Sequence, residues 1–311
     1  MSASVTVDNG RTRFIAVHYH IFKNGGTTIE SVLRREFGPG FRTLHGAAGN
    51  AILSGEDLAE FLLENPTVTA VSSHHLRYPK PSIPGAIIFD CCFLRHPLDR
   101  LVSVYSYYRS IDSAEPLSRL ARRFTQRDFI RQLMDESPHQ VSNVQVTQLA
   151  RSGAFCRPAN EKDLEQAAEF FCDSSIAGLV DMFSESLVAA EYFLRPAFPG
   201  IRLDHIPQNV TRAARVYNPD RLRRLQEELV DEWGADLYEA IVRLNEFDLE
   251  LYQRAQSEVL RRLFLVPGFQ ARVDDFRKRC GLPVVQEAVP ARVRTKSGLV
   301  GMKPGDVTLR I

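Results

Sequence analysis

Three groups of residues have the types and spacing to do chemistry. The segment HIFKNGGTT, residues 20–28, sets a lysine beside two glycines and two threonines. Gly25 and Gly26 let the backbone take positive φ and turn successive N–H groups toward one anion. A helix starting there adds partial positive charge, Lys23 adds a mobile cation, and Thr27 and Thr28 add hydroxyls. The second group is Arg95 and Ser103 in FLRHPLDRLVSVYSYYR (93–109), a guanidinium fork and a hydroxyl that suit a phosphate. Read singly, Arg95 would instead pair with Asp99. The third is SSHHLRY (72–78), whose His74 and His75 are the side-chain type that moves protons near neutral pH. The first loop departs from the GxxxxGK[ST] order of triphosphate-binding loops, so a different anion is expected.

The elements that must position these groups follow from the hydrophobic pattern. RFIAVHYH (13–20) is a short apolar run, and Ile29, Val32, Leu33 and Phe37 then recur at helical spacing until Gly38-Pro39-Gly40. TVTAVSS (67–73) and GAIIFDCCFL (85–94) read as strands buried on both faces, as in a parallel sheet. A helix follows at 95–110, with Pro97 in its first turn. Residues 112–127 read as a charged, mobile loop. EKDLEQAAEFF (161–171) is helical, IAGLVDMF (176–183) a strand, and SESLVAAEYFL (184–194) a capped helix. Residues 219–265 read as helix with one break at Trp233-Gly234, and 268–280 as one more basic helix. This alternation predicts an α/β fold, a three-layer sandwich around a central, mainly parallel sheet. The expected organisation is a flexible arm at 1–12, one domain at 13–267 and a C-terminal extension at 268–311.

Bulk properties exclude several classes. The 311 residues carry 39 basic and 38 acidic side chains, a net charge of +1, which argues against a nucleic-acid partner. The N-terminal stretch lacks an apolar signal core, and no apolar run is long enough to span a membrane, so a soluble, cytoplasmic protein is expected. Five cysteines with no CxxC pair argue against a zinc site. Asp90 falls mid-strand, so no acidic strand end offers to hold Mg²⁺.

Taken together, HIFKNGGTT and FLRHPLDRLVSVYSYYR resemble the 5′-phosphosulfate loop and 3′-phosphate motif of the PAPS-dependent sulfotransferases, which use 3′-phosphoadenosine 5′-phosphosulfate. SNVQVTQLA (142–150), IAGLVDMFSESL (176–187), QNVT (208–211) and LNEFDLELYQRA (244–255) are similar to later segments of the carbohydrate branch, including the uronosyl 2-O-sulfotransferases. Phe22 and Asn24 stand where that family usually has proline and threonine or serine. The resemblance implies the P-loop-like nucleotide-binding fold of that family, PAPS as donor, PAP as product and no metal. It implies in-line sulfuryl transfer to a hydroxyl, on a glycan. Lys23, Asn24, Gly25, Gly26, Thr27 and Thr28 would hold the phosphosulfate, Lys23 would also act in catalysis, and Arg95 and Ser103 would hold the 3′-phosphate. Alignment with the family's His-x-x-aromatic pattern favours His75 over His74 as general base. Arg77 and Lys80, and the cluster Arg119, Arg122, Arg123 and Arg127, are expected to meet an acidic acceptor. RTKSGLVGMKPGD (294–306) is a distant match to a nucleotide-closing segment. A kinase of similar fold and a non-catalytic binding relative are the competing classes.

Overall fold

The computed structural model describes residues 12–150, 157–206 and 220–283, with two dipeptides, 294–295 and 298–299, paired antiparallel. Most of the expected arm at 1–12, the QNVT segment, and Lys296, Gly301 and Lys303 of the tail lie outside the described residues.

The chain runs β1 (Arg13–Tyr19), α1 (Gly26–Phe37), β2 (Phe41–Thr43), α2 (Gly55–Glu64), β3 (Ala70–Ser73), β4 (Ala86–Leu94), α3 (Pro97–Ser110), α4 (Pro116–Arg123), α5 (Gln126–Glu136), α6 (Val144–Leu149), α7 (Glu161–Asp173), β5 (Ile176–Leu179), α8 (Phe183–Leu194), α9 (Asp220–Trp233), α10 (Ala235–Leu244), α11 (Glu246–Leu263) and α12 (Phe269–Arg279). The five strands form one sheet in the order β2-β3-β1-β4-β5, every pair parallel. Strand side chains alternate between two buried faces, which is why β1 and β4 read as unbroken apolar runs. Ile15, Val17, Tyr19, Cys92 and Leu94 pack on one face with α7 and α11. Ala16, Cys91 and Phe93 pack on the other with α1, α8 and α12. A third core gathers α3, α5, α9 and α10 around Trp233, whose indole N–H donates to Gln126 at 2.7 Å.

The structure revises several expectations. Residues 112–127 are mostly helix rather than loop. Pro116 opens α4, Thr125 caps α5, and Ala121, Phe129, Ile130 and Leu133 are buried beneath the charged surface. The strand expected over 176–183 stops at Leu179, where a tight 3-10 turn leads into α8. The helical stretch breaks a second time, at Asn245, whose side chain donates to the carbonyls of Val141 and Ile241. β2, α2 and α6 are too short or too mixed to announce themselves. The segment after Pro267 starts as part of the packed body: Val273 and Phe276 of α12 are wholly buried in the second core.

Helix α6 is held in place by a residue far along the chain. Asn143, with φ of 43°, precedes the helix, and the carboxylate of Asp248 on α11 accepts from the N–H groups of Gln145 (3.0 Å) and Val146 (2.8 Å). The Asp248 N–H in turn donates to the Asn143 side chain at 3.0 Å. A carboxylate capping a helix N-terminus satisfies orphan donors and meets the positive end of the dipole. Asp248→Ala leaves those donors buried and unpaired, so we expect a loss of about 3 kcal/mol in urea unfolding. A change under about 1 kcal/mol would show that α6 holds without its cap.

Candidate active site

The register aligns the C-terminal ends of the three central strands. Tyr19 at the end of β1 pairs with Ser73 of β3 and with Cys92 of β4, and the His20 N–H extends the ladder to the Ser73 carbonyl at 2.9 Å. His20, His74 and Arg95 therefore leave the sheet at one edge. There β1 lies between strands that come later in the chain, the position where open α/β sheets leave a crevice.

The turn from β1 into α1 is built for close approach. Lys23 has φ of 68° and Gly25 φ of 80°. Gly25 is the N-cap and no side chain caps the helix. The first backbone bonds come from the Thr28 and Ile29 N–H groups to the Gly25 carbonyl. The amides of Gly25, Gly26 and Thr27 precede them and are the donors an anion would take. Thr27 is exposed and Thr28 buried.

Asn24 does not present its side chain to this turn. Its amide donates to the Phe93 carbonyl and to Gln145 Oε1, both at 2.8 Å, pegging the loop to the end of β4 and to α6. Gln145, wholly buried, also binds both backbone groups of Arg95: Oε1 accepts from its N–H at 2.9 Å and Nε2 donates to its carbonyl at 2.8 Å. Arg95 itself donates to Asp99 at 2.7 Å, the pair that its i,i+4 spacing foretold, and to the Lys23 carbonyl at 3.1 Å. The two motifs are thus in direct contact. Asp99, Ser103 and Tyr107 follow one another at four-residue steps along α3, and Lys23 Nζ lies 4.4 Å from the centroid of the Tyr107 ring. Phe22 packs edge-on against the same ring. Ser103, buried, sits between two positions tied to the loop. Burial, then the Arg95 charge, pulls the Lys23 ammonium down to about 8.

Behind the loop three imidazoles stack. His20 lies 5.0 Å from His18 and 3.6 Å from His74 between ring centroids. His20 Nδ1 and the Ser72 hydroxyl both bond Glu30 Oε1 at 2.8 Å, and His18 Nδ1 lies 2.9 Å from Ser72 Oγ. Burial opposes the Glu30 charge, but these bonds, first that from His20, hold its carboxyl down to about 2. Burial, then the His20 charge, holds His18 well below the ordinary imidazole range and His74 down to about 4. His18, His20 and Glu30 bring possible metal ligands within 4.8 Å of one another, but each is already engaged in this hydrogen-bond chain.

Hydrogen bonding separates the two candidate bases. His74 Nδ1 faces the His20 carbonyl at 3.0 Å, which can only accept, so Nδ1 carries the proton and Nε2 the lone pair. His75 Nδ1 accepts from the Gly46 N–H at 2.7 Å, so in the neutral ring Nε2 carries the proton and is no base. Arg77 and Lys80 are spoken for as well. Arg77, buried, donates to the carbonyls of His74 and Leu76, and Lys80 pairs with Asp90 at 2.6 Å. Arg122 and Arg127 likewise have acidic partners, Asp112 and Asp236. Sequence reasoning missed Glu30 and the roles of Gln145 and Asp248, whose importance lies in contacts across the fold.

The family model described as "Sulfotransferase family" matches residues 12–253. The chain belongs to the sulfotransferase family. An uncharacterized protein of Archaeoglobus fulgidus is 27% identical over 248 residues, covering 78% of this chain and 96% of the relative. The match takes in both anion motifs and the five-stranded parallel sheet with helices on both sides, and sulfuryl transfer is the chemistry of the family. No helix among the described residues of this sulfotransferase is long and apolar enough to cross a membrane.

The site's electrostatics can be tested through stability. Arg95→Ala removes the counter-charge of the fully buried Asp99 carboxylate, so it should cost about 3–5 kcal/mol in urea unfolding, whatever it does to binding. A neutral result would mean that Asp99 does not depend on this arginine. The pH profile offers a second check. The fold refuses protons at His18, His74 and His205, the last also held down to about 4 by burial, while the unfolded chain accepts them near the ordinary imidazole value. Stability at these groups is therefore complete above about pH 6.5 and falls toward pH 4. Urea midpoints should decline steadily as pH falls through that window, and a flat profile would contradict the burial of neutral His18, His74 and His205.

Proposed function

We propose that the protein transfers a sulfuryl group from PAPS to a hydroxyl of a carbohydrate, releasing PAP, with His74 as general base. The observation that carries the reading is the contact between Arg95 and the Lys23 carbonyl, which joins two anion motifs 72 residues apart. A donor with two separate phosphate groups fits two such motifs better than a single phosphate run does.

Each residue then has a task. The amides of Gly25, Gly26 and Thr27, with the Thr27 and Thr28 hydroxyls, hold the 5′-phosphosulfate at the start of α1. Lys23 meets the charge that grows on the leaving phosphate as the bond to sulfur breaks, and its lowered proton affinity still leaves it charged at neutral pH. Arg95 and Ser103 face the 3′-phosphate. Asn24 serves as a peg for the loop. His74 replaces His75 as the base because its Nε2 bears the lone pair. It takes the hydroxyl proton as the acceptor oxygen attacks sulfur in line. The carbohydrate acceptor rests on the resemblance of 142–150 and 176–187 to that branch, and α4 adds an exposed basic surface with Arg119, Arg122 and Arg123 that suits an acidic glycan.

Titration calorimetry with 3′,5′-adenosine bisphosphate, against ADP with Mg²⁺, tests the donor. Binding of the bisphosphate alone is expected, and a preference for ADP with Mg²⁺ would remove the reading. The base is tested by bisphosphate release from PAPS in the presence of unsulfated, uronate-containing polysaccharides. On any chain that stimulates release, His74→Gln should lower the rate about 100-fold or more, and His75→Gln less than about tenfold. An equal or deeper loss in His75→Gln would return the base to His75.

A further inference from the structure

Gln148 has no task in that mechanism, yet it touches the peptide of the base. It is buried on α6, and its Nε2 donates to the His74 carbonyl at 3.2 Å. That partner fixes the orientation of the amide, since a carbonyl only accepts. Gln145 stands three residues earlier on the same helix, and positions three apart share a face. One face of α6 therefore grips Asn24 and Arg95 at one point and the His74 segment at the next. The other bonds around His74 do not make this link. Arg77 donates to the same carbonyl at 2.9 Å and to that of Leu76 at 3.0 Å, so it shapes the turn from within. The Ser73 hydroxyl does likewise, accepting from the N–H groups of His75 and Leu76. Backbone bonds to Leu53 tie the segment to the stretch before α2, and His74 Nδ1 ties the ring to the end of β1. Among the described residues, Gln148 makes the one hydrogen bond between this segment and the helix that holds Arg95.

We propose that Gln148 is a positioning residue: through the His74 carbonyl it sets where the His74 imidazole stands relative to the donor. α6 is the shared reference. It is a six-residue helix fixed by the Asp248 cap, and it carries the grip on Arg95 and Asn24 as well as the grip on His74. This rests on His74 as base in the proposed function and adds the residue that fits the base to the donor. Spacing matters because a general base acts only within hydrogen-bond reach of the proton it takes. A misplacement of about 1 Å between reacting groups costs about 100-fold in rate. Arg77 still holds the carbonyl when Gln148 is lost, so the base is loosened rather than removed, and the expected loss is about tenfold.

The test is bisphosphate release from PAPS by the full chain, with the most stimulating polysaccharide as acceptor, or with water where none stimulates. Gln148→Met keeps the side chain's length and loses its N–H. Its kcat should fall about tenfold, while KM for PAPS and the calorimetric affinity for 3′,5′-adenosine bisphosphate stay within about twofold of wild type. Gln148→Glu keeps the shape but sets a carboxylate oxygen against the His74 carbonyl, and should lose at least as much. In a His74→Gln background, Gln148→Met should cost nothing further, because its route to the reaction is gone. A general structural defect would instead lower the rate in both backgrounds. Full activity in both Gln148 variants would overturn this inference and leave the proposed donor and base standing. So would an undiminished loss in the His74→Gln background, or a fall in bisphosphate affinity as large as the fall in rate. A harmless His74→Gln, or no bisphosphate binding by wild type, would remove the proposed function and this inference together.

Discussion

The guanidinium of Arg95 does two jobs that cannot be separated. It neutralises Asp99, a carboxylate with no exposure to solvent, and it holds the Lys23 carbonyl. Lys23 offers that carbonyl from a backbone of positive φ, just before the amides at the helix start. A non-glycine residue in that conformation is strained by about 1 kcal/mol or more, and the surrounding bonds must outweigh it. Asn24 and Gln145 supply them from below, from the end of β4 and from α6. The loop at 20–28 is therefore a shape imposed by its neighbours as much as by its own glycines.

Much of the fold is legible in the sequence because the relevant physics is local. The apolar runs of β1 and β4 suit strands buried on both faces, and Gly38-Pro39-Gly40 ends α1. The Arg95–Asp99 pair follows from four-residue spacing alone. Residues 112–127 mislead for a physical reason. Their charges dominate the composition, but α4 buries Ser118 and Ala121 beneath them, and α5, which opens at Gln126, buries Phe129, Ile130 and Leu133 at helical spacing. Short elements such as α6 are illegible because Asp248 stabilises that helix from more than a hundred residues away.

The site is legible as a set of residues but less so as a set of roles. Lys23, Gly25 and Gly26 lie in one turn, and Arg95 touches that turn through the Lys23 carbonyl. Asn24 turns inward, because a short amide at that point of the turn reaches the end of β4 before it reaches the crevice. The order of His74 and His75 depends on which nitrogen meets a carbonyl and which meets an N–H, and neither the Gly46 amide nor the His20 carbonyl is visible in a string of letters. Glu30 is hidden for the same reason. It is one acidic residue on a helix face until the fold brings His20 and Ser72 to it.

The cap that Asp248 places on α6 also sets the order in which the parts can mature. The ribosome releases the loop at 20–28 first, then β3, β4 and α3. Gln145 comes next, and it grips Arg95 and Asn24 from α6. Yet α6 receives its cap only when α11 has left the exit tunnel, more than two hundred residues after the lysine. Nascent chains shorter than this would expose HIFKNGGTT as a pliable turn. The loop would take its final shape late in synthesis, once most of the sulfotransferase body exists to support it.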